Sequence, residues 1–169
     1  MSSAAISNYA IGFTIQSGNG FALESKNIEE KYKDFLDRFK RTESSRYSEI
    51  QTILNELEDT LIGCSQDNWD AYGAKAISVD TYLAARKIIH MLNSAFLNVP
   101  MPEIIPEPDG NIGFEWNDDY GRTFLFSIDD NQTLTYAGIF GLNKTHGYET
   151  LNDFLPGTLI HYLKRLYPR

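Results

Sequence analysis

Hydrophobic and polar positions along this chain change period twice. Tyr9, Ile11, Phe13 and Ile15 alternate with Ala10, Gly12 and Thr14, the two-residue period of a strand. Ser17-Gly18-Asn19-Gly20 reads as a turn, and Phe21 with Leu23 as the start of a return strand. The period then lengthens. Asn27 can cap a helix opening at Ile28, with Glu29 and Glu30 in its favourable first turn. Tyr32, Phe35, Leu36 and Phe39 continue it at helical spacing. The polar run 41–48 predicts an interruption. Ile50, Ile53, Leu54, Leu57 and Leu61 then form one apolar stripe of a second helix, which Gly63 ends. After a loop, Ser78 suits an N-cap, with Asp80 in the first turn. Val79, Tyr82, Leu83, Ile88, Ile89, Leu92 and Phe96 mark the buried face of a third helix, which stops before Pro100 and Pro102.

From Glu103 the period returns to two. A short strand over Glu103–Pro106 leads to an Asp109-Gly110 turn, and Ile112, Phe114 and Trp116 share one face of the next strand. Residues 117–121 turn the chain. Phe124, Phe126 and Ile128 share a face of a strand over 122–128, and Asp129-Asp130-Asn131 turns again. A fourth strand over 132–140 places Leu134 and Tyr136 inward. Short loops between strands predict an antiparallel meander. Leu151, Phe154, Leu155, Leu159, Ile160, Leu163 and Leu166 predict a C-terminal helix, with Pro156 in its first turn. The expected fold is α+β, an antiparallel sheet of four to six strands packed on one face by helices. It is read as a single domain over 1–169. An N-terminal hairpin or extension covers 1–24, a helical part 27–97, the meander 103–140 and a C-terminal helix 150–167.

Composition adds little to this. The chain is 42% hydrophobic and 22% charged, near globular averages, so wholesale disorder is not expected. Ten Tyr, ten Phe and two Trp fit core and strand positions, and equally a protein-binding surface. Cys64 is the only cysteine, so an intrachain disulfide framework is impossible and a reducing compartment fits. No apolar run reaches membrane-spanning length, and the first fifteen residues lack a basic n-region and a long apolar h-region. A cytoplasmic protein is expected, without membrane contact.

Charge changes the picture more. The net charge is −8. Residues 101–135 carry Glu103, Glu107, Asp109, Glu115, Asp118, Asp119, Asp129 and Asp130 against one base, Arg122. An acidic sheet repels phosphate backbones, which disfavours direct nucleic-acid binding through it. Solubility with turn chemistry, a docking surface for a basic partner and a divalent-metal site remain as meanings.

Candidate chemistry is sparse. His90, His146 and His161 have no second His or Cys at metal spacing, and His146 lies in an expected loop over 143–147. No nucleophile elbow, phosphate loop or dinucleotide fingerprint occurs. The run from Asp129 lacks the glycine and glutamate of a calcium loop. Pro108-Asp109 before a strand bearing Glu115 is similar to a metal-dependent nuclease pattern, but Asn117 stands where that pattern needs lysine. No catalytic residue, metal or cofactor is assigned. Glu115, between Phe114 and Trp116, should point away from the core. Asp70 suits a turn, and Trp69 and Tyr72 suit a wedge between helix and sheet.

Asn68-Trp69-Asp70-Ala71-Tyr72-Gly73-Ala74 with Ser78, then Pro102, Pro106, Asp109-Gly110 and Glu115-Trp116, resembles a widespread group of uncharacterised bacterial proteins. Their motif reads Asn-Trp-Asp-Gly-Tyr-Gly-Ala, then a helix, a Pro-x-Pro-Asp-Gly turn and a strand ending Glu-Trp. The likeness covers residues 66–140 and brings no established activity. It implies a bacterial or phage accessory locus, mobile or defence-related. Ala71 stands where that group has glycine, so a positive φ is not expected there. Asn68, Trp69, Asp70, Tyr72, Gly73, Ser78 and Trp116 are read as a structural motif fixing helix against sheet.

The leading expectation is a non-enzymatic protein-binding module, antitoxin-, immunity- or inhibitor-like. It would meet a basic protein partner through Glu107, Asp109, Glu115, Asp118, Asp119, Asp129 and Asp130. The alternatives are a carboxylate- or metal-dependent hydrolase using Asp70, Asp109 and Glu115, and a structural subunit of a homo-oligomer, dimeric through its N-terminal strand.

Overall fold

The computed structural model describes residues 21–95 and 99–168 of the chain. The expected N-terminal strand and turn lie outside them, apart from Phe21 and Leu23, which are helical. The elements are helix α1 (Phe21–Gly63), helix α2 (Val79–Ala95), strands β1 (Glu103–Pro106), β2 (Ile112–Asn117), β3 (Thr123–Ile128), β4 (Thr133–Phe140) and β5 (Asn143–Thr150), and helix α3 (Gly157–Leu166). The chain forms two compact units, Met1–Glu43 and Ser44–Arg169, whose boundary falls within α1.

In the first unit, the described residues belong to α1. Ile28, Tyr32, Phe35 and Phe39 follow one another at steps of four, three and four, and all are exposed. The Phe35 and Phe39 rings stack with centroids 6.3 Å apart.

In the second unit, α1 continues without the interruption expected at 41–48. Arg46 is the buried residue of this polar stretch. It is 8% exposed, and its guanidinium donates to the Val99 carbonyl at 2.8 Å, with Glu49 at 3.3 Å and the Asn93 side chain at 3.4 Å. Ile50, Ile53 and Leu57 are buried just beyond it.

The five strands form one antiparallel sheet in sequence order. This confirms the α+β class, with a strand count inside the expected range. Ile112, Phe114, Trp116, Phe124, Phe126, Ile128 and Leu134 fill the core side, meeting Ile88, Ile89, Leu159 and Leu163 of α2 and α3. The strand register carries those residues across the sheet, pairing Phe114 with Phe126 and Ile128 with Leu134.

β5 is the element that differs from the sequence pattern, which predicts a loop around His146. Its core side carries Asn143, Thr145, Gly147 and Glu149, with no apolar side chain among them. Gly147 sits beneath the Tyr136 ring, where a Cβ would collide. Thr145 donates to the Tyr162 hydroxyl at 2.7 Å, and Thr158 donates to Glu149 at 2.7 Å, which ties α3 to this strand.

Three of the hairpins are one device used three times. In Glu107–Asn111, Asp118–Arg122 and Asp129–Thr133, the fourth residue donates to the carbonyl of the first, at 3.0, 3.3 and 3.3 Å. That fourth residue is left-handed each time: Gly110 (φ 91°), Gly121 (φ 69°) and Gln132 (φ 62°). A type I turn followed by a left-handed residue and a bulge gives this geometry. β4 and β5 are joined by two residues, with Gly141 (φ 68°) first, as a II′ turn requires.

Candidate functional site

The two motif patches form one junction. The loop after α1 runs back on itself: Asn68 N–H donates to the Ala74 carbonyl, Ile77 N–H to the Cys64 carbonyl, and Trp69 Nε1 to the Lys75 carbonyl at 2.9 Å. Three side chains satisfy the backbone left open. Asp67 accepts from Ala76 N–H, Asn68 from Gly73 N–H, and Asp70 from both Tyr72 (2.8 Å) and Ala74 (3.0 Å). These hydrogen bonds, Ala74 first, outweigh desolvation and hold the Asp70 carboxyl below its ordinary pKa. Ser78 then caps α2 as expected, its Oγ accepting from Thr81 N–H at 3.0 Å.

This loop seats on the β1–β2 turn. Lys75 N–H donates to the Pro108 carbonyl at 2.8 Å. A Cβ on Gly110 would lie 3.0 Å from the Ala76 carbonyl oxygen. Gly110 is thus required twice, by its φ and by the close approach. On the other side, Trp116 is buried and donates from Nε1 to the Pro100 carbonyl at 2.9 Å.

Two expectations for the motif are corrected. Ala71 has φ 64°, so the turn does take a positive φ there, against the expectation. Tyr72 is 93% exposed and wedges nothing. Trp69 packs against the core, as expected.

The acids do not share one face. The β1–β2 and β3–β4 turns lie at one end of the sheet, carrying Glu107, Asp109, Asp129 and Asp130, with the Asp70 loop against the first of them. Asp118 and Asp119 lie at the opposite end. Glu103 and Glu115 stand on the sheet face turned away from the helices, paired across β1 and β2. Glu107 folds over that face above Gly113 and accepts from Ser127.

Turn chemistry accounts for Asp109, Asp118 and Asp129, as it does for Asp70. Asp118 accepts from Tyr120 and Arg122 N–H at 2.9 and 2.8 Å, and Asp129 from Asn131 and Thr133 N–H at 2.9 and 2.7 Å. Asp109 accepts from Asn111. These side chains shape the hairpins before they do anything else.

Asp118 is also withdrawn from any docking surface, against the expectation for it. Its side chain is 7% exposed and pairs with Arg122. Arg122 in turn donates to the Leu166 carbonyl at 2.8 Å and the Arg165 carbonyl at 3.3 Å, capping the C-terminal end of α3. Desolvation pushes the Asp118 pKa up, but the Arg122 and Tyr120 N–H groups and the Arg122 guanidinium together hold it below the ordinary value. An open cleft of about 1270 Å³ lies above this pair, lined by Asn117, Asp119, Lys164 and Tyr167 among others. Tyr167 donates to the Asn117 carbonyl there, and burial followed by Asp118 and Asp119 raises its pKa.

Asp70, Asp109 and Glu115 do not share a common contact. Asp70 and Asp109 serve their own turns, and Glu115 accepts from Asn117. Glu115 stands three residues along β2 from Ile112, roughly 10 Å from the turn that holds Asp109. Among the described residues, no group of three or more His, Cys, Asp or Glu is placed to hold a metal ion. His146 lies on β5, exposed on the face opposite the helices and level with Ala137. Cys64 is buried, and burial raises its thiol pKa, the reverse of what a nucleophile needs. Among the described residues no helix is long and apolar enough to cross a membrane. Compared with protein-family models, curated proteins and solved structures, the chain matches none.

Proposed function

We propose that the chain is a non-enzymatic protein-binding module that meets a basic partner through the acidic end of its sheet. The observation carrying this is the clustering of Asp67, Asp70, Glu107, Asp109, Asp129 and Asp130 in three loops at that end, where Lys75 is the sole base. Most of these carboxylates are fixed by hydrogen bonds to their own backbone. A preset array of this kind loses little side-chain entropy on binding and favours fast, salt-sensitive association. The likeness of the motif to a bacterial group supports reading such a module as part of an accessory locus of a bacterium or phage, in an antitoxin-, immunity- or inhibitor-like role.

The test is capture from a bacterial lysate on the immobilised chain. Wild type should retain a basic protein that elutes with salt. The Asp130→Lys variant, which leaves every backbone hydrogen bond of its turn in place, should lose it. Equal retention by the variant, or retention insensitive to salt, would refute the reading.

A further inference from the structure

The sequence Asp-x-Tyr-Gly occurs twice in the chain, as Asp70-Ala71-Tyr72-Gly73 and as Asp118-Asp119-Tyr120-Gly121. The two turns share a hydrogen-bond plan. In each, Oδ1 of the aspartate accepts from the N–H groups two and four residues on. These are Tyr72 and Ala74 in the first turn, Tyr120 and Arg122 in the second. The glycine is left-handed in both, with φ 98° at Gly73 and 69° at Gly121. The tyrosine rings stand 93% and 84% exposed. The turns differ at Ala71, whose φ of 64° has no counterpart at Asp119. They differ again four residues after the aspartate, where Ala74 stands in place of Arg122.

The second turn holds a cation with the groups its plan leaves over. Oδ2 of Asp118 accepts from Nε of Arg122, and the guanidinium carbon lies 5.6 Å from the centre of the Tyr120 ring. In the first turn Oδ2 of Asp70 accepts from no group among the described residues. Asp70 and Tyr72 are thus the same carboxylate and ring without their cation. Asp129 repeats the Oδ1 plan with Asn131 and Thr133, but Asn131 stands where a tyrosine would be needed. We propose that Asp70 and Tyr72 form a guanidinium site, filled by an arginine of the basic partner as Arg122 fills Asp118 and Tyr120. This rests on the reading of the acidic end as a docking surface, and narrows the partner to one that presents arginine. The turn on which the loop seats adds Asp109, and Lys75 is the sole base at this end, so the local charge favours a cation. Lysine fits less well. Its ammonium is a compact, strongly hydrated charge, whereas a planar guanidinium can donate to Oδ2 and lie over the ring at once.

Calorimetric titration of the full chain with a short capped peptide of alternating arginine and glycine, and with its lysine counterpart, tests this. The arginine peptide should bind at least about tenfold more tightly than the lysine peptide. Asp70→Asn keeps a carbonyl oxygen for the Tyr72 and Ala74 N–H groups, and should weaken the arginine peptide about tenfold. Tyr72→Ala should weaken it about fivefold, and Tyr72→Phe should match wild type. All three variants should keep the wild-type circular dichroism spectrum. Equal binding of the two peptides, or an arginine preference that survives both Asp70→Asn and Tyr72→Ala, would overturn the site. If Asp130→Lys still lost the lysate partner in that case, the docking reading would stand without the guanidinium site. An arginine preference abolished by both variants would uphold the site even if lysate capture proved indifferent to salt and to Asp130→Lys, which would refute the docking reading alone.

Discussion

Replacing Gln132 by glycine should stabilise the fold. Gln132 holds φ 62° in the third hairpin, where the equivalent residues of the first two are Gly110 and Gly121. A residue with a Cβ gives up about 1–2 kcal/mol in this conformation. Glycine loses more freedom on folding, which takes back about 0.4–1 kcal/mol. The net gain is about 0.5–1 kcal/mol, near 2–4 °C in Tm for each kcal/mol at this chain length. Nothing else need change, because Gln132 is exposed, and its N–H and carbonyl keep their bonds to Asp129 and Leu151. Two further variants separate the causes. Gly121→Ala has open space around the new Cβ and should lose about 1 kcal/mol through φ alone. Gly110→Ala also drives a Cβ to 3.0 Å from the Ala76 carbonyl oxygen, which should add about 1–3 kcal/mol. Urea titration followed by tryptophan fluorescence measures all three, with the slope m unchanged. A neutral Gln132→Gly, or equal losses for Gly121→Ala and Gly110→Ala, would refute the reasoning.

Ala71→Gly should gain about as much as Gln132→Gly, since Ala71 has φ 64° and is exposed; the same titration reads it. Arg46→Ala should cost about 1–3 kcal/mol by stranding the Val99 carbonyl, and Arg46→Lys should not rescue it, because a single ammonium nitrogen cannot stand where both Nε (toward Asn93) and Nη1 (toward Val99 and Glu49) of the planar guanidinium stand. The lowered pKa of Asp118 means the folded state gains above the ordinary carboxylate pKa, and that gain disappears as pH falls through the lowered value. Asp118→Asn should therefore flatten the acid limb of a stability–pH profile measured by urea titration. Trp69→Phe should lose about 1 kcal/mol with its bond to Lys75, while Tyr72→Ala should stay within about 0.5 kcal/mol of wild type.

Period alone located α2, β1 to β4 and α3 because each buries one clean face. β5 escaped because both of its faces are polar: its core side meets helix α3 through Thr145 and Glu149 rather than through apolar packing. The continuity of α1 escaped because only Arg46 is buried in the polar run at 41–48, and a buried arginine reads as a surface residue. The motif itself was legible as a tight turn before a capped helix. Its seat on the Pro108 turn was not, since Lys75 N–H and the Gly110 approach are backbone contacts between distant segments. Ala71 misled for a physical reason: a methyl group disfavours the left-handed region without forbidding it.

The acidic residues have two duties, and a charge-reversal experiment must keep them apart. Lysine at Asp118 or Asp129 would remove the acceptor for two backbone N–H groups, so lost binding there could reflect a broken hairpin. Asp119 and Asp130 occupy the next position of each turn, are exposed, and accept from no backbone group of the turn. They also stand at opposite ends of the sheet, about 20 Å apart for six-residue strands. At low salt this distance exceeds neither screening nor the span of a partner, but at physiological ionic strength the Debye length is about 8 Å. Lysine at Asp130 should then weaken binding of a basic partner to the loop end, and lysine at Asp119 should leave it nearly unchanged. Both variants should unfold at the wild-type urea midpoint. Equal losses of binding from the two, measured by calorimetry in physiological salt, would mean that overall charge draws the partner and that the acidic end has no special part in it.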